Sequence, residues 1–201
     1  MINNAGIAVA GPIEAVGIED FKEQFAVNVF GLVETTQAFL PIIRKTKGRI
    51  VNISSVSGLL VSPFVGPYCA SKYAVEAISD ALRRELLSTG VKVIVIEPGP
   101  IKTPIWEKGL NPHALLSKMR PEYLGLYKNP MEKFAEGIEQ SAREAIPTQS
   151  VANRVHQALI ADDPPNRQVV TSLGDHLQLI FGRALPSQWL DRLIKKQLFR
   201  S

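Results

Sequence analysis

The chain has 201 residues, 45% of them apolar and 21% charged, with a formal net charge of +4; that suffices for one globular domain with a full core and is too little for two. No Lys/Arg cluster interleaves with aromatics, which argues against nucleic acid, and no apolar run approaches the roughly eighteen residues of a membrane-spanning helix. The single Cys69 excludes an internal disulfide and, with no apolar leader after Met1, points to a reducing, cytoplasmic setting. His113, His156 and His176 share no ligand spacing, so no metal site is expected.

Residues 1–6, MINNAG, read as a strand end falling into a turn. From about Ile18 to Arg44, residues such as Phe21, Phe25, Val29, Leu32, Thr36 and Ile43 recur at helical spacing. Glu19 and Asp20 at its front and Arg44 and Lys45 at its back suit the helix dipole, and Gly48 ends it. Arg49–Ser54 (RIVNIS) is a short β-branched strand. Pro67 to about Thr89 predicts a helix, with Pro near its start and Gly90 past its end. Val91–Glu97 (VKVIVIE) is almost unbroken in its β-branched character, the pattern of a parallel strand covered on both faces. After the PGPIKTP loop, residues 104–146 are less regular, with helical stretches near 113–119 and 129–145. Val151–Ala161 is an amphipathic helix, Gln168–Thr171 a last strand, and 173–200 one or two helices. This alternation predicts an α/β fold, a doubly wound parallel sheet of Rossmann-like type. Chemistry in such sheets lies at the carboxyl ends of the strands, here NNAG, NISS and EPGP.

Tyr68 and Lys72, at i and i+4, share one face of the second long helix, and Ser55 ends the strand that precedes it. A free phenol has a pKa near 10; a neighbouring cation stabilises the phenolate and lowers that value. Lys72 is expected to do this for Tyr68, making it a general acid–base for a carbonyl/alcohol pair. Ser55 can hold the reacting oxygen without competing for the proton. Tyr-x-x-x-Lys alone is common on solvated helix faces. Cys69, with no base near it in sequence, reads as a small packing residue.

The company these residues keep changes their meaning. NNAG at 3–6, Asn28 in FAVNVFG, NISS at 52–55, YCASK at 68–72 and PGPIKT at 98–103 occur in an order and spacing that resemble the short-chain dehydrogenase/reductase family, from residue 1 to about 110. The resemblance implies catalytic roles for Asn28, Ser55, Tyr68 and Lys72. Tyr68 would exchange the proton, and Lys72 would lower its pKa and bond the nicotinamide ribose. Ser55 would place the substrate oxygen. Asn28 would hold, through its backbone, a water that passes protons to Lys72. Cofactor contacts would come from Asn3, Ala5 and Gly6 at the first strand tip, from Tyr68 and Lys72, and from Pro98, Gly99, Ile101 and Thr103 around the nicotinamide. The cofactor implied is NAD or NADP, and the substrate a small-molecule carbonyl or alcohol.

The family's chains open with a strand, a Gly-rich turn that seats the pyrophosphate on a helix N-terminus, and a residue that reads the adenosine ribose. None of these is in the sequence. MINNAG matches within the family's fourth strand, so on the order of 80 residues would precede it. The expectation is therefore an N-terminally truncated sheet with an exposed edge strand, prone to association and binding dinucleotide weakly at best.

IKTPIWEKG followed by a long insert resembles the 17β-hydroxysteroid and retinol dehydrogenase-like branch. Residues 1–201 would then form a single partial domain, with 104–146 and 173–201 as substrate-side insert and C-terminal helices. Aromatics there (Trp106, Tyr123, Phe134, Trp189) read either as a pocket for a lipophilic alcohol or ketone, or as ordinary core. The amphipathic tail SQWLDRLIKKQLFRS either rests on a membrane surface as a peripheral contact or packs on its subunit or a dimer mate. The function expected is NAD(P)-dependent interconversion of an alcohol and a ketone or aldehyde, by a homo-oligomer when full length. The alternative is a truncated, noncatalytic remnant that pairs with a full-length relative through helices 18–45 and 67–89. An epimerase or dehydratase of the extended branch shares the Tyr/Lys pair, but NNAG and the short C-terminal region argue against it.

Overall fold

The computed structural model describes residues 1–108, 116 and 119–199. Four parallel strands lie in the order β1-β2-β3-β4: β1 (Ile2–Asn3), β2 (Arg49–Ile53), β3 (Lys92–Pro98) and β4 (Arg167–Val170). Between β1 and β2 run α1 (Ile18–Phe25), a π-helical turn (Ala26–Phe30) and α2 (Gly31–Lys45). A 3₁₀ turn (Val56–Gly58) and α3 (Gly66–Glu85) join β2 to β3. Beyond β3 come α4 (Ile105–Lys108), α5 (Pro121–Glu144) and α6 (Thr148–Ile160), and after β4 come α7 (Leu173–Ala184) and α8 (Ser187–Leu198). This is the doubly wound parallel layer predicted from the alternation of elements.

The period-two pattern of the central strands divides the core. Ile50 and Val93 pack with Ile43 and Leu86 on the α2–α3 side. Val51, Ile94 and Ile96 pack with Ala158 and Val170 on the side that α6 covers. Both faces are occupied, hence the continuous β-branched run of β3.

Three features depart from expectation. The helix from Ile18 to Lys45 is continuous but locally underwound by a π-helical turn at Ala26–Phe30, where Asn28 is buried. By length and composition, this 28-residue stretch would pass as a membrane span, contrary to the expectation that no segment would. Its polar Gln24, Asn28 and Thr36 are buried, so one face of it packs on the fold, while 28% of the apolar window is buried and Phe30, Phe39 and Ile42 are exposed. The helix expected at 129–145 starts at Pro121 and carries Pro130 in its interior. Pro130 costs that helix a backbone hydrogen bond; the packing of Tyr127, Met131 and Phe134 around Phe64 compensates. The helical stretch expected near 113–119 falls largely outside the described residues.

Candidate active site

The strand tips carry the site. The carbonyl of Ile53, last residue of β2, accepts a 2.9 Å hydrogen bond from Lys72 Nζ. Lys72 is buried on α3 one turn after Tyr68, and its Nζ stands 5.7 Å from the centroid of the Tyr68 ring. Ser55 caps the 3₁₀ turn by accepting from the Ser57 N–H at 3.1 Å. Its hydroxyl reaches the Pro98 carbonyl at 3.4 Å and also lies within hydrogen-bonding reach of the Tyr68 phenol. One serine thus ties the tip of β2 to the tip of β3 and to α3.

The Asn28 side chain pins the loop after β1 and reaches α3. The amide donates to the Ile7 carbonyl at 3.0 Å and to Ser71 Oγ at 3.1 Å, and its Oδ1 accepts from the Ile7 N–H at 2.9 Å. Gln24, one turn earlier, repeats the device: it donates to the Ile7 carbonyl at 2.8 Å and accepts from the Val9 N–H at 2.6 Å. The two amides clamp the loop that follows β1. Nothing in the sequence pattern singled out Gln24, because an inward glutamine on an amphipathic helix breaks the very periodicity used to find the helix.

The residues expected on the cofactor side lie around the same tips. Asn3 donates to Asn52 Oδ1 at 2.8 Å and to Thr36 Oγ1 at 3.1 Å. Ala5 and Gly6 follow it, exposed. A Cβ added at Gly6 would come 3.4 Å from Asn28 Oδ1 and 3.8 Å from Lys72 Nζ, so the bare glycine keeps open space beside both. Pro98 closes β3. At Gly99 a Cβ would fall 2.1 Å from Thr171 Oγ1, so only glycine fits where that loop passes the end of β4. Ile101 forms a parallel bridge with Ile146, and its carbonyl accepts from the Trp106 indole at 2.7 Å. Thr103 is half-buried in the turn between them.

The electrostatics differ from the sequence expectation in one respect. Burial pushes the Tyr68 phenol above its usual value, with the Ser55 hydrogen bond pulling the other way. Lys72 aims its ammonium at the Ile53 carbonyl and stands over the Tyr68 ring, 5.7 Å from its centroid. Burial lowers Lys72 itself to about 8, against an opposing pull from Glu76. The Cys69 thiol, buried and pushed up by that burial, is a packing residue.

A group of charges beyond Lys72 escaped the sequence reading. Arg167, at the start of β4, donates to Glu97 of β3 at 2.9 Å and to Glu76 of α3, and pairs with Asp80 at 3.2 Å. Glu76 and Glu97 are both buried. The arginine is 91 residues from Glu76, a separation at which no spacing rule applies.

These residues fit the nicotinamide end of a dinucleotide. Lys72 has three N–H donors, of which Ile53 engages one, and Gly6 leaves room beside it.

Comparison with known proteins agrees. The family model for short chain dehydrogenase matches residues 1–112. The chain is 38% identical over 209 residues to the NADPH-dependent 3-dehydrocapnine reductase of Ornithobacterium rhinotracheale, covering 98% of this chain and 69% of that one. It is 41% identical over 175 residues to retinol dehydrogenase 16 of Homo sapiens, covering 83% of this chain and 54% of the relative. A short chain dehydrogenase/reductase from Burkholderia phymatum, solved in complex with NAD, matches with a TM-score of 0.68 at 26% identity, covering 90% of this chain and 63% of that one. Likeness of this extent, to the family model over more than half of the chain and to one relative over nearly all of it, makes the chain a member of the short-chain dehydrogenase family of oxidoreductases.

Proposed function

We propose that the protein interconverts an alcohol and a ketone or aldehyde with NAD or NADP, Tyr68 carrying the proton. The observation that supports this is the convergence of Ser55, Tyr68 and Lys72 at the tips of β2 and β3. The NADPH in one relative's name and the NAD bound to a structural neighbour support the cofactor class. When bound, the nicotinamide supplies or accepts the hydride. Ser55 holds the substrate oxygen, and Tyr68 moves a proton on or off it. Burial raises the Tyr68 phenol, so it meets a carbonyl oxygen as the protonated acid. Lys72 offers its remaining N–H groups to the ribose hydroxyls, and its charge stabilises the phenolate left after transfer. Trp106 already holds the Ile101 carbonyl, leaving the Ile101 N–H and the Thr103 hydroxyl for the carboxamide.

We read the apolar cluster beside Tyr68 as facing the substrate. Tyr68, Ile105, Trp106 and Phe134 pack around Ala8, Ala10, Val65 and Cys69, which suits a lipophilic alcohol or ketone. A second surface belongs to the same reading. Helices α7 and α8 form an open surface groove of about 630 Å³ lined by Phe181, Leu185, Trp189 and Leu193 together with Arg192, Lys195 and Lys196. An apolar floor with a cationic rim complements an anionic lipid surface, from which a lipophilic substrate is drawn.

The test is Tyr68→Phe. Turnover of a long-chain ketone with NADPH or NADH should fall by about 10²- to 10⁴-fold while nucleotide affinity stays within a factor of about two. A near-normal rate would refute the role of Tyr68. Absence of turnover in the unaltered protein with every carbonyl tried would favour the noncatalytic remnant.

A further inference from the structure

Glu76 lies one helical turn beyond Lys72 on the same buried face of α3. One of its carboxylate oxygens is held by Arg167; the other, Oε1, is buried and makes no hydrogen bond within the protein. Gly58 of the 3₁₀ turn fixes this corner. A Cβ there would stand 3.0 Å from the Lys72 carbonyl, 3.0 Å from Ser54 Oγ and 3.1 Å from Glu76 Cγ. The turn therefore presses directly on the stretch of α3 between the lysine and the carboxylate.

The charges around this pair can be taken element by element. On α3 are Lys72, Tyr68, Glu76 and Asp80, with Arg83 at 3.5 Å and Arg84 at 3.3 Å from the Asp80 carboxylate. From β3 comes Glu97, from β4 Arg167, and from α7 the more distant Arg183, whose charge is felt at Glu97. The 3₁₀ turn and the π-helical turn contribute no ionisable group. Lys72 thus sees one carboxylate of its own, which is in turn held in place by an arginine from the opposite edge of the sheet.

We propose that Glu76 is a positioning residue for the proton-transfer site: its carboxylate, braced by Arg167 and one helical turn from Lys72 on the same buried face, keeps the Lys72 ammonium charged while the Ile53 carbonyl holds it in place. The electrostatic consequence follows from Coulomb attraction in a weakly screened interior. Without the Glu76 charge, burial alone would set the lysine's protonation, and Lys72 would lose its proton at lower pH. The Arg167 brace couples β4 to the strand tips across the sheet, so the lysine's charge depends on a residue that touches neither substrate nor cofactor. This rests on the reading of Lys72 as part of the proton-transfer site, but its test needs no turnover.

The full chain, labelled with ¹³Cε-lysine, is titrated by NMR, with the Lys72 resonance assigned by Lys72→Arg. The Lys72 midpoint, about 8 in the unaltered protein, should drop by about one pH unit or more in Glu76→Gln and return most of the way in Glu76→Asp. A midpoint that stays within about 0.3 units in a folded Glu76→Gln protein overturns the proposal. Should Glu76→Gln fail to fold, the unaltered protein answers the question through ¹³C-labelled glutamate, with Glu76 assigned by Glu76→Asp. Its carboxylate resonance should show a second inflection at the Lys72 midpoint, and its absence would equally overturn the proposal. A purely structural Glu76 would change melting temperature without moving either titration. Loss of turnover in Tyr68→Phe is read separately, so the two ideas fail independently.

Discussion

Two ends of this molecule treat polar and apolar groups in opposite ways. At the strand tips, Asn28, Asn52, Ser55, Lys72 and Glu97 are all buried, and each has a defined partner. On α7 and α8, Leu173, Leu177, Ile180, Phe181 and Trp189 stand more than half exposed. A buried hydrogen bond tolerates little displacement, because an unmet donor or acceptor in the interior costs about 1–3 kcal/mol. An exposed apolar stripe fixes nothing by itself; it gains free energy only when something covers it. The first region is built to hold atoms in place, the second to meet a variable surface.

The largest effect should come from the tips. Tyr68→Phe should cut turnover by two to four orders of magnitude, and a smaller loss would move the proton-transfer role elsewhere. Next, Gly99→Ala drives a methyl group into Thr171 at 2.1 Å, and urea unfolding should show a loss of about 1–3 kcal/mol. Gly6→Ala meets its nearest neighbour at an ordinary 3.4 Å, so it should leave stability within about 0.5 kcal/mol while weakening nucleotide binding. Equal destabilisation by the two would show that the tips are less tightly built than described.

pH gives a further handle. The folded-state pKa of Lys72 is lowered from 10.5 to about 8, so between those values the unfolded chain binds the extra proton. Stability measured against Lys72→Met should therefore rise with pH across that window, by about 3 kcal/mol in all, and be flat below pH 8. In the reductive direction, turnover should fall as pH climbs through about 8, where Lys72 loses its charge. The smallest effects belong to the other end. Leu177→Ser should change stability by under about 0.5 kcal/mol. Charge reversal at Arg192, Lys195 and Lys196 should abolish co-sedimentation with vesicles containing phosphatidylserine without altering melting. Equal partition of both forms would remove the lipid surface from the proposal.

The same division governs what could be read in advance. The parallel order, the strands RIVNI and KVIVIEP and the long helices follow from local periodicity, and Ser55, Tyr68 and Lys72 stand at recognisable spacing within one strand–helix unit. The raised Tyr68 phenol was not legible, since i and i+4 spacing brings the lysine near but says nothing of the burial that sets the direction of the shift. The Arg167–Glu76–Glu97 group was invisible because its members come from three elements. The π-helical turn was missed as well: one extra residue per turn leaves the apolar spacing of AVNVF almost unchanged. α5 begins at Pro121, ahead of the expected 129, and runs through Pro130, with Tyr127, Met131 and Phe134 packed around Phe64.

The amide ladder through Asn3 has a consequence for how the sheet comes together. Strand β1 is two residues long, too short for its backbone bonds to discriminate strongly between alignments with β2. Asn3 and Asn52 are direct neighbours in the ladder. Their side chains continue to Thr36 of α2 on one flank and, from Asn52 at 2.8 Å, to Ser79 of α3 on the other. Sliding β1 by one position would turn Asn3 to the opposite face and break both of its side-chain bonds, taking the donor from Asn52 Oδ1 and from Thr36 Oγ1. Chain alignment at this edge is thus decided by side-chain amides. Asn3→Leu, nearly matched in volume, should yield a mixture of sheet alignments visible as doubled amide resonances for Ile2 and Val51.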